Sequence, residues 1–335
     1  MQHKSVDKTF DFYQLITYLQ ILLYSMVESR KTFLQNALWY KDTAGMHDMI
    51  VRNATQSPGE YARSSMSAAS RKMHLQGRIL VDSLNFARPL VENVSLTLQF
   101  VPHAPEGCLF ATYPAGPTPR YVVEILDCYL LVPRLKVKPS LLKSVGRYPW
   151  VKTEVIKYIH PAGVTNFNTR TVYNGPNIPR RAFVVVMTEP RFENTLSLNR
   201  LRFMPASITQ MLMTVNDIHK PIHNGYSADF ANYDYTEVYA GLFNELNKNW
   251  HPNSVDISWE EFRDGYTIWA FDLSSNRTSS ADFYAPPQSG NVQLMIRFNP
   301  AQNDAMVVLV FLEHEHLLTF DKNRNWEDKE IYTMP

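Results

Sequence analysis

The hydrophobic positions fall into two regimes that separate near Gly146. Over Phe12–Leu38, Leu15, Leu19, Leu22, Leu23, Met26 and Val27 recur at intervals of three and four, which predicts a helix with one apolar face. The stretch Trp39-Tyr-Lys-Asp-Thr-Ala-Gly45 breaks that pattern. Residues Gln56–Ser70 are small and polar around Pro58-Gly59, and read as a surface loop. Strand-like runs follow at Ile79–Leu84, Val94–Val101, Cys108–Tyr113 and Tyr121–Val132. In the second run Val94, Leu96, Leu98 and Phe100 alternate with Ser95, Thr97 and Gln99, the period of a half-buried strand. The last is the longest apolar run of this half and stops at Pro133. The first half therefore predicts one helix and about four strands.

The second half is more regular. It predicts strands at Val151–Ile159, Thr171–Tyr173, Ala182–Thr188, Ile208–Val215, Tyr266–Leu273, Val292–Phe298, Met306–Leu312 and His316–Phe320. Proline and glycine punctuate the intervals, at Pro161-Ala-Gly163, Gly175-Pro176, Pro190, Pro221, Pro286-Pro287 and Pro300. Helices are expected at Tyr233–Leu246 and Ser258–Phe262, the latter opening with Ser258 and Glu261 at capping-box spacing. Eight short strands separated by turn signals describe a sandwich, and eight is the strand number of a jelly roll.

Composition sharpens this picture. The 335 residues are 45% hydrophobic and 13% aromatic, with Tyr and Phe at 18 each, a balance that favours sheet. Basic and acidic residues number 33 and 32. A chain that grips nucleic acid through phosphates carries a basic excess, so strong nucleic-acid binding by this chain is not expected. The local group Arg134, Lys136, Lys138 and Lys143 reads as a solvated loop. Cys108 and Cys128 give no disulfide framework, which makes a reducing compartment the default. The polar start and the interrupted run Leu15–Val27 predict neither a secretory leader nor a membrane span, so the sequons at Asn53, Asn93 and Asn276 read as chance matches.

Candidate chemistry is sparse. Phosphate-cradling glycine loops, a nucleophile elbow, paired C-x-x-C cysteines and H-E-x-x-H are all absent from the sequence. His314 and His316 lie two apart on a predicted strand and share a face, as two ligands of a cupin-type metal enzyme would. The expected downstream Glu and His are missing, and Glu313 and Glu315 alternate with the pair, so a polar outer face is the better reading. His219 and His223 flank Pro221 on a loop, where histidines are ordinarily surface residues. The stretch Asp229–Glu237 lacks the glycine and spacing of a calcium loop and reads as a helix entry. Tyr226, Tyr233 and Tyr235 would give a carbohydrate- or protein-binding sandwich an aromatic platform if exposed. Arg180-Arg181 reads as a pair that blunts a sheet edge. No catalytic, cofactor-binding or metal-ligating residue is assigned, and no cofactor is expected.

An ordered series of stretches carries a resemblance. Trp39–Gly45 after the helix, Tyr121-Val-Val-Glu-Ile-Leu-Asp-Cys-Tyr-Leu-Leu-Val132, Val137-Lys-Pro-Ser-Leu-Leu142 and Tyr148-Pro-Trp-Val-Lys-Thr-Glu-Val155 come first. Asn174–Val185, Asp264–Leu273, Ser289–Phe298 and Phe320–Asn325 follow in order. Together they resemble the double jelly-roll (hexon-like) major capsid proteins of Polinton/Maverick elements and adintovirus-like viruses. The resemblance implies an all-β fold, a double jelly roll of two antiparallel sandwiches side by side, with a few inserted helices. It divides the chain into an incomplete first jelly roll with its amphipathic helix over 1–146 and a second over 147–335. The family's opening strands are not matched, as in a truncated or domesticated copy in an animal genome. The implied function is assembly: homotrimers, which form pseudo-hexameric capsomers, tile an icosahedral virion shell beside a minor (penton) capsid protein. The implied location is the virion and the cytoplasm or nucleus of the host cell, without secretion. Near-neutral charge suits shell faces that must approach one another.

Overall fold

A computed structural model describes residues 12–48, 54–85, 89–91, 94–111, 121–136, 146–193, 196–221, 224–275, 277, 279, 288–321, 323 and 325–330. The Val137–Leu142 stretch, Pro114–Pro119, His223, Pro286-Pro287 and all three sequon asparagines lie outside them. The fold is mostly β, two antiparallel sheets with a few helices.

Its strands are β1 (Gly146–His160), β2 (Asn166–Gly175), β3 (Arg181–Thr188), β4 (Ile208–Val215), β5 (Ile218–Lys220), β6 (Tyr226–Ser227), β7 (Trp269–Asp272), β8 (Gly290–Phe298), β9 (Met306–Phe320) and β10 (Trp326–Glu330). One sheet runs β1-β9-β3-β7, with β10 also on β9; the other runs β2-β8-β4-β5, with β6 also on β4. Successive strands alternate between the sheets over β1 to β4, and β7 to β9 interleave with them in reverse. That is the winding of an eight-stranded jelly roll. The two strands expected at Met306–Leu312 and His316–Phe320 are one, since β9 pairs with β1 without interruption from Met306↔His160 to Phe320↔Gly146. Glu313 and Glu315, polar as they are, do not end the strand because they have partners inside the protein.

The helices are α1 (Tyr13–Tyr24), α2 (Val27–Lys31), α3 (Pro58–Ser67), α4 (Pro105–Cys108), α5 (Glu189–Phe192), α6 (Thr236–Glu245) and α7 (Trp259–Asp264). Ser258 and Glu261 close the expected capping box on α7. The single helix expected over Phe12–Leu38 is broken: Ser25 is extended (φ −75°, ψ 152°), and its hydroxyl bonds back to Ile21 O at 2.6 Å. The loop expected at Gln56–Ser70 is instead largely α3. Proline at its first turn and Glu60 nearby suit a helix N-terminus, and those signals outweigh the small, polar composition.

The core explains why β3 and β9 read as nearly continuous apolar runs. In β9, Glu313 reaches the Tyr24 hydroxyl of α1, while its neighbour His314 packs on Tyr173 of β2. Alternation along a strand therefore puts α1 on one face of the β1-β9-β3-β7 sheet and the second sheet on the other. A sheet covered on both faces has no polar side to show. Leu15, Ile16, Tyr18, Leu19, Leu22 and Leu23 of α1 join the same buried cluster as Val184, Val186, Leu309 and Phe311. At ~1.5–3 kcal/mol for each large apolar side chain buried, α1 is an integral layer of the jelly roll.

Ahead of Gly146 the expected strands do not form among the described residues. The described parts of Ile79–Leu84, Val94–Val101, Cys108–Tyr113 and Tyr121–Val132 contain no strand. A strand exists only when its N–H and C=O groups find a partner ladder, and among the described residues these segments have none. The segment from Asp82 to Val94 has a different role. Asp82 Oδ2 accepts the backbone N–H of Thr153 on the free edge of β1 at 2.7 Å, and Pro89 O accepts the Tyr148 hydroxyl. Leu90, Val91 and Val94 cover a small second cluster of Tyr148, Trp150, Leu318 and Phe320.

Candidate functional site

Among the described residues, the longest run of exposed large apolar side chains is Tyr121–Leu135. Val122 is 83% exposed, and Ile125, Leu126, Tyr129, Leu130, Leu131, Val132 and Leu135 all stand between 52% and 70%. Their apolar side chains occur at both even and odd positions, so whichever way the segment turns it offers an apolar face. Contiguous apolar exposure of this kind is uncommon on a monomer's surface. Glu124 and Asp127 fall in its first part, Arg134 and Lys136 at its end, all exposed. Cys108 and Cys128 are free thiols on the surface. Tyr129 Oη stands 3.4 Å from His74 Nε2, a local contact within this outlying part.

The jelly roll is sealed by buried charge. Arg181, 2% exposed, lies 3.3 Å from Glu313 and donates to the Tyr24 hydroxyl at 2.7 Å and to Ser279 Oγ at 3.1 Å. Arg180 meets Glu313 at 3.3 Å and Glu315 at 3.6 Å. Burial pushes the Glu313 carboxyl up, but Arg180, Arg181 and the Tyr24 hydroxyl outweigh it and hold the carboxyl below its usual range. The Arg180-Arg181 pair was expected at a sheet edge; Arg181 is interior, because β3 lies between β9 and β7, while Arg180 precedes the strand and is partly exposed. Asp272 then accepts from the N–H and hydroxyl of both Ser274 and Ser279, while Glu245 accepts Asp272 N and pairs with Arg277. Lys220, Glu245, Asp272 and Arg277 line a narrow cleft whose polar groups face one another.

A second ionic group ties the segment after α2 to the sandwich. Asp48 receives Arg191 (2.9 Å at Oδ2), Arg202 (2.9 Å) and Asn199 N (2.9 Å). Burial alone would raise its carboxyl, but Arg191, the Asn199 amide and Arg202 prevail and leave it at about 2. His47, 3% exposed, packs tilted against Tyr266 with ring centres 5.2 Å apart, and burial lowers its imidazole to about 4.

His314 and His316 share a face, as the spacing predicts, but that face is inside. His314 packs 5.2 Å from Tyr173 with Glu154 at 3.7 Å; His316 packs 5.2 Å from Trp150 with Asp328 at 3.2 Å. Both are buried, so the polar outer face expected for them is corrected: β10 and β2 cover it. Burial first, then His316 and Lys152, lower the His314 imidazole to about 4. No group of three or more His, Cys, Asp or Glu that could hold a metal occurs among the described residues.

The aromatic platform is dispersed. Tyr226 and Tyr235 are buried at 4% and 0%, the first donating to Ala270 O and the second to Trp259 O. Only Tyr233 is exposed, beneath the Arg263 guanidinium at 4.6 Å. The tyrosines look exposed in the sequence because their stretch is rich in Asp and Asn, yet those polar residues bond to one another around Asp229. His219 is half-buried on β5, its Nδ1 3.2 Å from Asn224 Oδ1. No helix among the described residues is long and apolar enough to cross a membrane.

No family model matches the chain, and no curated protein does. Solved structures give two matches to report. A chain of the Sputnik virophage, determined by cryo-EM at 3.5 Å, aligns with TM-score 0.37 and 15% identity over 59% of this chain and 41% of its own. The mavirus major capsid protein, from a crystal structure, aligns with TM-score 0.30 and 11% identity over 56% of this chain and 42% of its own. The chain thus spans about two fifths of the length of the solved structures it matches.

Proposed function

We propose that this chain is a structural protein of the viral major-capsid kind, whose work is self-assembly and whose energy lies in contacts between subunits. The observation that carries the reading is the apolar Tyr121–Leu135 segment, exposed in a chain whose jelly-roll core is closed without it. The sequence motifs that resemble double jelly-roll capsid proteins support it, and this segment is one of them. In this reading 1–146 belongs to the first jelly roll and 147–335 is the second. Three copies form a pseudo-hexameric capsomer, and capsomers tile a virion shell with a minor capsid protein at special positions. Polinton/Maverick-type elements are the proposed relatives, and a domesticated genomic copy is the proposed origin.

Such a protein needs no cofactor and no catalytic residue. Its interfaces must be broad, apolar at the centre and self-complementary under the assembly's symmetry. Negative-stain microscopy of concentrated protein tests this. Threefold particles with a six-sided outline are expected; a field of single small globules would overturn the trimer.

A further inference from the structure

We propose that Arg30 and Lys248 form a binding site for one free phosphate ion at the break between α1 and α2. The break itself brings the two cations together. Because α1 stops at Tyr24 and Ser25 is extended, the carbonyls of Leu23 and Ser25 are released from helical bonding two residues apart. Lys248 Nζ donates to Leu23 O, and Arg30 Nη2 donates to Ser25 O at 3.4 Å. Lys248 also lies 5.7 Å from the centre of the Tyr24 ring.

Capping the end of a helix accounts for only part of what these side chains offer. Lysine carries three donors and arginine five, and each spends a single one here. Arg30 is 3% exposed, yet its Nε and Nη1 have no partner among the described residues. Among those residues no carboxylate lies within 4 Å of either cation; Asp256 acts on Arg30 only from farther off and sits 4.0 Å from Lys41. The third cation nearby, Arg181, is already matched by Glu313. At hydrogen-bond distance two positive charges thus face the partial negative charge of a helix end, about half an elementary charge, with Asp256 acting on Arg30 from farther off. A buried charge without a counter-charge is costly, and an anion removes that cost. Burial, then Arg30 and Arg181, accordingly hold the Lys248 ammonium down at about 8.

A local charge of two suits a phosphate dianion better than a single carboxylate. The burial of Arg30 suits a free ion better than a phosphodiester in a polymer.

The test is calorimetric titration of the full chain with inorganic phosphate near neutral pH and fixed ionic strength, with acetate and chloride as comparison anions. One saturable phosphate site is expected, weakened about tenfold or more in Lys248→Met, the loss of one charge-assisted bond. Arg30→Met is expected to abolish it; should that variant fail to fold, the half-buried Lys248 decides, with its melting curve as the check on folding. The proposal is overturned by no saturable uptake, by an affinity unchanged in Lys248→Met, or by equal binding of acetate. Displacement of phosphate by a short DNA oligonucleotide would overturn the free-ion assignment.

Discussion

Arg181 of β3 and Glu313 of β9 are partners in strand register and in charge, 3.3 Å apart and nearly sealed from solvent. The pair also anchors α1, because the Tyr24 hydroxyl donates to Glu313 Oε1 at 2.6 Å while accepting from Arg181. Three elements distant in sequence meet in one polar knot. Removing Glu313 takes the contacting carboxylate from the buried Arg181, which costs about 3–5 kcal/mol, whereas removing Arg181 would still leave Glu313 paired with Arg180. Glu313→Leu is expected to lower stability by that amount in denaturant unfolding. The double variant Arg181→Met/Glu313→Leu is expected to recover most of the loss. A double variant as unstable as the single one would mean that packing, not charge pairing, sets the cost.

Acid should weaken the protein well before carboxylates titrate. Burial holds the imidazoles of His47 and His314 at about 4, below the ordinary histidine value of 6.5. Between those two pH values the unfolded chain takes up protons that the folded one refuses, so stability falls as pH drops through that window. Each histidine contributes a slope of up to about 1.4 kcal/mol per pH unit. Melting temperatures measured between pH 7 and pH 4 (~3 units) should fall, and His314→Phe should flatten the fall by one histidine's share. An unchanged slope in that variant would show that His314 does not titrate as its burial dictates.

The capping box of α7 offers a smaller check. Ser258 Oγ accepts Glu261 N at 3.2 Å, and Glu261 accepts Ser258 N at 2.8 Å. Ser258→Ala is expected to cost about 1 kcal/mol in denaturant unfolding. No measurable change would mean that packing of Trp259 and Phe262 sets this end alone.

The second half of the fold was legible in the sequence because its strands carry their own signals. Val292–Phe298 alternates and Ile208–Val215 is bounded by turns, and the structure places strands on both. The first half was not legible, since Val94–Val101 alternates as well as any strand yet has no ladder to join among the described residues. Periodicity states which face a strand would bury; it does not supply the neighbour. Site-level reading failed for related reasons. Arg181, Tyr226, Tyr235 and His314 are polar residue types that proved to be interior, each held by a partner far away in sequence. No spacing rule exposes pairs such as Tyr24 with Glu313.

The apolar segment separates assembly from folding. Leu126→Asp with Leu130→Asp alters side chains that are 60% and 52% exposed, so the jelly roll should keep its stability to within about 0.5 kcal/mol. Assembly should be lost, as light scattering would register. Unimpaired assembly would place the contact surface elsewhere.

The most direct test of the central claim is the mass of the purified full chain by size-exclusion chromatography with light scattering across a range of concentrations. The account predicts a discrete species of three chains, with larger shell-like particles as concentration rises. A well-behaved monomer of 38.7 kDa at every concentration would contradict it.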